Sequence, residues 1–179
     1  NHRLVAQVKA LGGDAESLVA QDKVIIAEPH PRAKQLGFVG TVGTVHTGPI
    51  REIFMHHAIP VISPVGWLNG QLYNINADVV ASAVAMRLKA EKMVLLTNVR
   101  GILRQANDVS SLISTLSIKE AKLLVERHVI QEGMIPKVKA CIDALRGGVK
   151  KTHIIDAALP HAMLLEIFTK KGIGTELVR

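Results

Sequence analysis

The chain has 179 residues, of which 48% are hydrophobic, 21% charged and 3% aromatic. This length allows one domain or two small ones, and the apolar fraction is too high for a disordered chain. The longest apolar stretch, residues 79–86, contains Ser82 and falls far short of the roughly 18 residues that a membrane-spanning helix needs. The single cysteine cannot form an internal disulfide, so we expect a reducing, cytoplasmic location.

The net charge of +7, from 22 Lys and Arg against 15 Asp and Glu, favours an anionic partner. The basic residues are nevertheless scattered, and the densest clusters are the pairs Lys150-Lys151 and Lys170-Lys171. A nucleic-acid module would also need aromatic side chains as stacking surfaces, and the chain has three Phe, one Trp and one Tyr. We therefore expect a phosphorylated small ligand, with neither nucleic acid nor a membrane as partner.

Strand and helix signals alternate along the chain. In chain order the periodicity predicts a helix at 4–11, a strand at 23–27, a helix from 49, strands at 59–63 and 72–75, a helix at 78–89, a strand at 93–97, helices after 117 and near 136, a strand at 153–155 and a helix at 160–168. The strand at 93–97 shows no polar alternation, which predicts burial on both faces. Such alternation implies a mostly parallel sheet whose ligands bind at the carboxyl ends of the strands.

Several common site signatures are missing from the sequence. No metal-ligand spacing occurs, and the neighbours His56 and His57 would point to different faces of a helix. The stretch 147–152 lacks the spacing of a phosphate-binding loop and leads into a strand instead of a helix. Cys141 falls on the apolar face of its helix and is predicted to be a packed thiol. We therefore expect no metal site built from protein ligands.

Three polar positions carry more information. Lys137 follows Pro136 in a first helical turn, where a cation is disfavoured by about 0.3–1 kcal/mol unless an anion docks there. A solvated lysine is the alternative interpretation. An acidic residue such as Asp78 stabilises a first helical turn without any ligand, so its position alone does not indicate a function. Asn74 could likewise be present because asparagine favours turns, or because it contacts a ligand. The glycine-containing loop at 97–101 follows a predicted strand, where a nucleotide would lie in this architecture.

Taken together, several segments resemble acetylglutamate kinase, a branch of the amino-acid kinase superfamily. The resemblance rests on Tyr-Asn-Ile-Asn-Ala-Asp at 73–78, Leu-Leu-Thr-Asn-Val-Arg-Gly at 95–101 and Gly-Met-Ile-Pro-Lys-Val at 133–138, and it continues at 154–156, 160–161 and 172–175. It runs along nearly all 179 residues. It implies an α/β three-layer sandwich with a mostly parallel central sheet, in which residues 1–85 belong to the amino-acid-substrate lobe and 86–179 form the nucleotide lobe.

The resemblance implies ATP-dependent phosphorylation of the side-chain carboxylate of N-acetyl-L-glutamate in arginine biosynthesis. It also implies that Mg²⁺ is bound through the phosphates and that the protein is a homo-oligomer. By position, Asn74 would bind the acid, Asp78 would orient the catalytic lysines, and Lys137 would stabilise the transferring phosphoryl group. The residues implied to line the nucleotide are Asn98, Val99, Arg100, Gly101, Ile102, Leu103, Val129, Ile130 and Gln131.

Some members of the family are inhibited by arginine. His153, Glu166 and Gly172 match the positions that contact this effector, so the resemblance implies an arginine site there. The alternative interpretation is that His153 is an ordinary strand residue and Glu166 an exposed helical carboxylate.

The sequence departs from the family pattern in two ways. Asn98 stands where the family carries Asp, which keeps hydrogen bonding but removes a negative charge. The family also opens with glycine-rich loops, a first catalytic lysine and a substrate-binding arginine, none of which precedes the first helix here. We expect roughly the N-terminal third to be missing and little kinase activity from these 179 residues alone. A kinase for a related acylated amino acid and a non-catalytic nucleotide- or arginine-binding module are the alternatives.

Overall fold

The computed structural model describes residues 1–105, 108–169 and 172–179. The chain divides into two compact units, residues 1–87 and residues 88–179. The basic pair Lys170-Lys171 lies outside the described residues. Within those described ranges, every helix is too short or too polar to cross a bilayer.

Unit 1 contains ten α-helices and β-strands, and α4 extends one residue beyond the boundary of the unit. They are α1 (His2–Ala10), β1 (Ala15–Leu18), β2 (Ile25–Pro29), α2 (Ala33–Leu36), β3 (Gly40–Val45), α3 (Gly48–Met55), β4 (Ile59–Ile62), β5 (Val65–Leu68), β6 (Gln71–Asn74) and α4 (Ala77–Leu88). Strands β1 and β4 form a parallel pair. The other four strands form a sheet of order β3-β2-β5-β6, in which β2 and β5 are parallel and the outer pairs antiparallel.

Local signals set the beginning of α4. The Asn76 Oδ1 atom accepts hydrogen bonds from the backbone N–H groups of Asp78 at 2.9 Å and Val79 at 3.2 Å. These two donors would otherwise lack a partner in the first helical turn. The predicted cap is therefore confirmed, and it fixes Asp78 as the second residue of the helix.

Within its described residues, 88–105, 108–169 and 172–179, unit 2 contains seven α-helices and β-strands. They are β7 (Lys92–Thr97), β8 (Thr115–Ser117), α5 (Ile118–Glu126), α6 (Met134–Arg146), β9 (Lys151–Asp156), α7 (Ala162–Phe168) and β10 (Thr175–Val178). The strands form one sheet of order β7-β9-β10-β8. The pairs β7–β9 and β10–β8 are parallel, whereas β9 and β10 are antiparallel.

The helices of unit 2 form where the sequence predicts them. Ser117 and Glu120 make the predicted capping box at the start of α5, where the Ser117 backbone N–H and hydroxyl group lower the pKa of Glu120. In α6 the predicted apolar face is buried, and it consists of Val138, Cys141, Ile142 and Leu145. The α/β class is thus confirmed.

One expectation about these elements was wrong. The strand β7 is not buried on both faces, because Leu96 is 51% exposed whereas Met93 and Leu95 are buried. The sheet order places β7 at an edge, and its burial follows the strand alternation. Helix α6 begins at Met134, two residues before Pro136, so Lys137 is its fourth residue.

Helix α7 buries an acidic side chain and exposes large apolar ones, the reverse of an ordinary amphipathic helix. Its two buried residues are Ala162 and the acidic Glu166. Large apolar side chains of the same helix are exposed, among them Leu164 and Phe168, the latter 78% exposed. The helix is therefore held to unit 2 largely through a carboxylate.

Candidate functional site

The carboxyl ends of β7 and β9 meet at one edge of the sheet of unit 2. These strands are parallel, and their last residues, Thr97 and Asp156, are register partners. The Arg100 Nε atom lies 3.8 Å from the Asp156 Oδ2 atom, and Asp156 Oδ1 accepts a hydrogen bond from the Ala158 backbone N–H at 2.9 Å. The loops that leave the two strands are therefore joined by an ion pair at the edge where ligands bind in such sheets.

The predicted nucleotide loop, residues 98–103, has an exposed half and an anchored half. Residues 98–100 are exposed, whereas Gly101 is buried and Ile102 is only 2% exposed. The Ile102 backbone N–H donates to the Thr175 hydroxyl at 2.8 Å. Gly101 has a φ of +142°, and a Cβ atom there would lie 2.6 Å from the same hydroxyl oxygen. Glycine is required because the loop passes directly against β10.

The second predicted nucleotide segment, residues 129–131, connects α5 to α6. Ile130 is buried, and its backbone N–H donates to the Leu124 carbonyl at 3.1 Å. Val129 and Gln131 are exposed, and the Gln131 side-chain amide donates to the His128 carbonyl. This segment therefore presents two side chains to solvent immediately before α6.

Lys137 lies in the first turn of α6 and is half-buried. That turn, which the structure describes in full, carries no acidic residue. The positive end of the helix dipole and the Lys137 ammonium group therefore coincide, an arrangement that favours a bound anion.

Asn74 and Asp78 belong to unit 1. Asn74 is the last residue of β6 and is exposed, and its backbone N–H donates to the Phe38 carbonyl at 2.9 Å. Asp78 is half-buried at the start of α4. The two residues thus lie on either side of the short connection between β6 and α4. Their roles, and that of Lys137 in unit 2, stay predictions.

The three residues predicted for arginine do converge in unit 2. The His153 Nδ1 atom lies 2.7 Å from the Glu166 Oε1 atom, and both side chains are buried. The Glu166 Oε2 atom accepts the backbone N–H groups of Ile173 at 2.6 Å and Gly174 at 3.1 Å. A Cβ atom at Gly172 would lie 2.9 Å from the same oxygen. The interpretation of Glu166 as an exposed carboxylate was wrong.

Glu166 is an ionised hydrogen-bond acceptor in this cluster. Burial raises the pKa of Glu166, but the hydrogen bonds from Ile173, His153 and Gly174 outweigh burial, so the net pKa is lowered. His153 Nδ1 is therefore the donor to the carboxylate.

The structure adds Glu176 and Lys151, which sequence reasoning missed, to this cluster. Glu176 is the register partner of His153 across β9 and β10. Its Oε1 atom lies 4.0 Å from His153 Nε2 and 2.7 Å from Lys151 Nζ. In the part of the chain that the structure describes, His153 Nε2 makes no hydrogen bond. Strand alternation places Lys151 and His153 on the same face of β9, which is the signal that the sequence offers. Glu176 can be identified as their neighbour only when the register between β9 and β10 is known.

Among residues 1–105, 108–169 and 172–179, no group of three or more His, Cys, Asp and Glu residues is arranged to hold a metal ion.

The fold places the chain among α/β proteins that bind ligands in loops at the ends of parallel strands. The model of the amino acid kinase family matches residues 1–156, and the chain belongs to this family. The acetylglutamate kinase of Heliobacterium modesticaldum is 47% identical over all of this chain. The predicted resemblance is thereby confirmed. The chain spans 65% of the length of that relative.

Two solved structures show the same fold. N-acetylglutamate synthase from Neisseria gonorrhoeae, complexed with coenzyme A and L-arginine, is 28% identical with a TM-score of 0.80, over 93% of this chain and 38% of that one. Carbamate kinase from Giardia lamblia bound to AMP-PNP is 15% identical with a TM-score of 0.69, over 97% of this chain and 65% of that one. The second likeness concerns the fold alone.

Proposed function

We propose that this chain forms the nucleotide-binding unit and part of the acid-binding unit of a kinase that phosphorylates N-acetyl-L-glutamate in arginine biosynthesis. The observation that carries the proposal is the 47% identity to an acetylglutamate kinase over the whole chain. In this proposal residues 88–179 bind ATP, and residues 1–87 contribute to the acid site. A cytoplasmic location and a homo-oligomeric assembly belong to the same proposal.

The reaction needs neutralisation of charge more than proton transfer. A carboxylate oxygen of the substrate attacks the γ-phosphorus of ATP, the bond from that phosphorus to the β–γ bridging oxygen breaks, and an acyl phosphate and ADP result. The nucleophile is already ionised, so no general base is required. The enzyme must hold two anions together and stabilise charge on the equatorial phosphoryl oxygens.

The proposed roles follow from this requirement. Lys137, at the positive end of α6, would stabilise the phosphoryl group. The exposed part of the loop at 98–100, beside Asp156, would line the nucleotide. Asn74 would hydrogen-bond the acid, and Asp78 would orient cationic side chains. Mg²⁺ held by the phosphate oxygens would neutralise further charge on the nucleotide.

The experiment measures acyl phosphate by trapping it with hydroxylamine in the presence of ATP and Mg²⁺. N-acetyl-L-glutamate and N-acetyl-L-2-aminoadipate are compared as acceptors, and ATP binding is measured separately by calorimetry. We expect saturable ATP binding. We also expect that any phosphoryl transfer favours N-acetyl-L-glutamate as the acceptor. Preference for the longer acceptor would indicate the related kinase, whereas absence of ATP binding would contradict the proposal.

We also propose that the His153–Glu166 cluster recognises L-arginine as an effector. Two features of the cluster support recognition of a guanidinium group: its buried carboxylate, and the His153 Nε2 atom, which makes no hydrogen bond within the described residues. The N-acetylglutamate synthase of known structure at 28% identity is itself complexed with L-arginine.

Thermal unfolding tests the effector proposal. Saturating L-arginine should raise the unfolding midpoint, because a ligand that binds only the folded state stabilises it. Citrulline, which lacks the charge, serves as the ligand control, and Glu166→Gln as the protein control. An equal shift with both ligands, or no shift with arginine, would contradict an arginine site.

A further inference from the structure

The start of β10 is held by hydrogen bonds on two sides. On one side, the Glu166 Oε2 atom accepts the backbone N–H groups of Ile173 at 2.6 Å and Gly174 at 3.1 Å. On the other side, the hydroxyl of the next residue, Thr175, accepts the Ile102 backbone N–H at 2.8 Å. Three consecutive residues therefore connect the buried carboxylate of α7 to the predicted nucleotide loop.

These two attachments lie on opposite faces of the sheet of unit 2. Thr175 is the register partner of Ile154, whereas Glu176 is the partner of His153. Opposed residues of an antiparallel pair share a face, and successive residues alternate between the faces. The His153 side chain contacts Glu166, so this carboxylate lies on the face away from the Thr175 side chain. The start of β10 therefore links α7 on one face to the nucleotide loop on the other.

The nucleotide loop is anchored at Ile102. The backbone N–H of this residue donates to Thr175, and its carbonyl accepts the Ile113 N–H at 2.9 Å. Ile102 is buried, whereas residues 98–100 just before it are exposed. A buried N–H group that loses its acceptor costs about 1–3 kcal/mol. The conformation of the exposed residues is therefore set between the end of β7 and the Thr175 hydroxyl.

The loop and the start of β10 are in close contact. A Cβ atom at Gly101 would lie 2.6 Å from the Thr175 hydroxyl oxygen and 3.1 Å from the Thr175 backbone nitrogen. Thr175 itself is fully buried. Close-packed interiors transmit displacement because they compress little. A shift at the start of β10 therefore moves the loop as well.

We infer that Glu166 and Thr175 are positioning residues for nucleotide binding: Glu166 fixes the start of β10, and the Thr175 hydroxyl fixes the loop against it. The inference rests on the proposed binding of ATP by the exposed residues 98–100. Neither side chain has to touch the nucleotide. Ordering the loop before ATP binds increases the fraction of chains that are competent to bind it, and the apparent Kd falls in proportion.

Variants of Thr175 test the inference by calorimetry with ATP and Mg²⁺. Thr175→Val keeps the shape of the side chain but removes the acceptor of the Ile102 N–H, and it should raise the Kd for ATP at least about fivefold. Thr175→Ser keeps the hydroxyl and should bind ATP within about twofold of the wild type. Circular dichroism checks that the variants fold.

Thr152 provides the matched control. It is fully buried and lies on the same sheet face as Thr175, because its register partner Leu177 is two residues from Thr175 on β10. Within the described residues its hydroxyl makes no hydrogen bond. Thr152→Val removes a hydroxyl without releasing a backbone donor, so the Kd for ATP should change by no more than about twofold.

A double-mutant cycle tests whether Glu166 acts through Thr175. Glu166→Gln removes the charge that strengthens the hydrogen bonds to residues 173 and 174, and it should raise the Kd for ATP at least about threefold. In the Thr175→Val background the same change should alter the Kd by less than about 1.5-fold, because the loop is already released from β10. Independent effects would multiply instead.

Hydrogen exchange by NMR on the wild-type chain does not depend on the folding of any variant. Saturating ATP should slow the amides of Ile102 and Gly174 at least about threefold more than the Val149 amide, because a ligand that binds the ordered loop stabilises the bonds that order it. The Val149 amide donates to the Ala144 carbonyl at 3.1 Å and lies between α6 and β9, outside these contacts.

Unchanged ATP affinity in Thr175→Val, multiplicative effects in the cycle, or equal slowing at Ile102 and Val149 would overturn the inference. An equal loss of affinity in Thr152→Val would overturn it as well, since any buried change in the sheet would then suffice. In each of these cases ATP binding by the wild-type chain leaves the proposed function standing. Absence of ATP binding by the wild-type chain would overturn both.

Discussion

Replacing Lys137 by alanine should lower acyl-phosphate formation by about 10²- to 10³-fold, the usual cost of removing one charge-stabilising donor from a transition state. The reason is that a single ammonium group at the positive end of α6 would offset charge that develops only as the phosphoryl group transfers. The measurement is the hydroxylamine assay for acyl phosphate, with the unsubstituted chain assayed in parallel.

Lys139 provides the matched control for this experiment. It lies two residues further along α6, is exposed, and would lose the same charge on substitution by alanine. Lys139→Ala should retain turnover within about twofold, and both variants should unfold near the wild-type temperature because neither removes a core side chain. Near-normal turnover of Lys137→Ala would contradict its assignment to the phosphoryl group.

Replacing Gly174 by alanine should destabilise the chain by about 3 kcal/mol, at the upper end of overpacking effects. A Cβ atom at this position would collide with the Ile154 carbonyl oxygen and lie 2.6 Å from the Ile155 Cγ2 atom. Backbone cannot rotate away as a flexible side chain can, so β10 would have to move from β9. The Gly174 hydrogen bond to Glu166 would be strained as well.

The measurement is thermal unfolding, in which a loss of this size lowers the midpoint by roughly 6–12 °C for a chain of this length. Gly133→Ala is the control in the same unit, because its φ of −62° suits any residue and a Cβ atom there meets nothing within 4 Å. A variant at Gly174 as stable as the one at Gly133 would show that β9 and β10 pack less closely than described.

The elements that sequence predicts well are those with local causes. The cap at Asn76 and the capping box at Ser117 act within four residues, so both helices begin where their sequences indicate. The apolar stripe of α6 likewise follows helical spacing and is buried as expected. Lys137 and Asp78 could be predicted as candidate site residues because they belong to short motifs that resemble the family. The motifs by themselves do not show what either residue does.

The features that sequence could not predict depend on strand order. Leu96 is exposed because β7 lies at a sheet edge, which its own apolar run does not reveal. Burial of Glu166 depends on β9 bringing His153 beneath α7. Glu176 faces His153 only through the antiparallel register of β9 and β10. Such contacts join residues that are distant in the chain, and periodicity carries no information about them.

The inverted packing of α7 has a consequence for the order in which unit 2 comes apart. Its attachment relies on the polar contacts of Glu166, while Leu164 and Phe168 contribute little burial. Acidification that protonates this carboxylate weakens the attachment before it affects the aliphatic interior beneath α6. The helix should therefore detach as a separate cooperative segment while the sheet behind it stays intact.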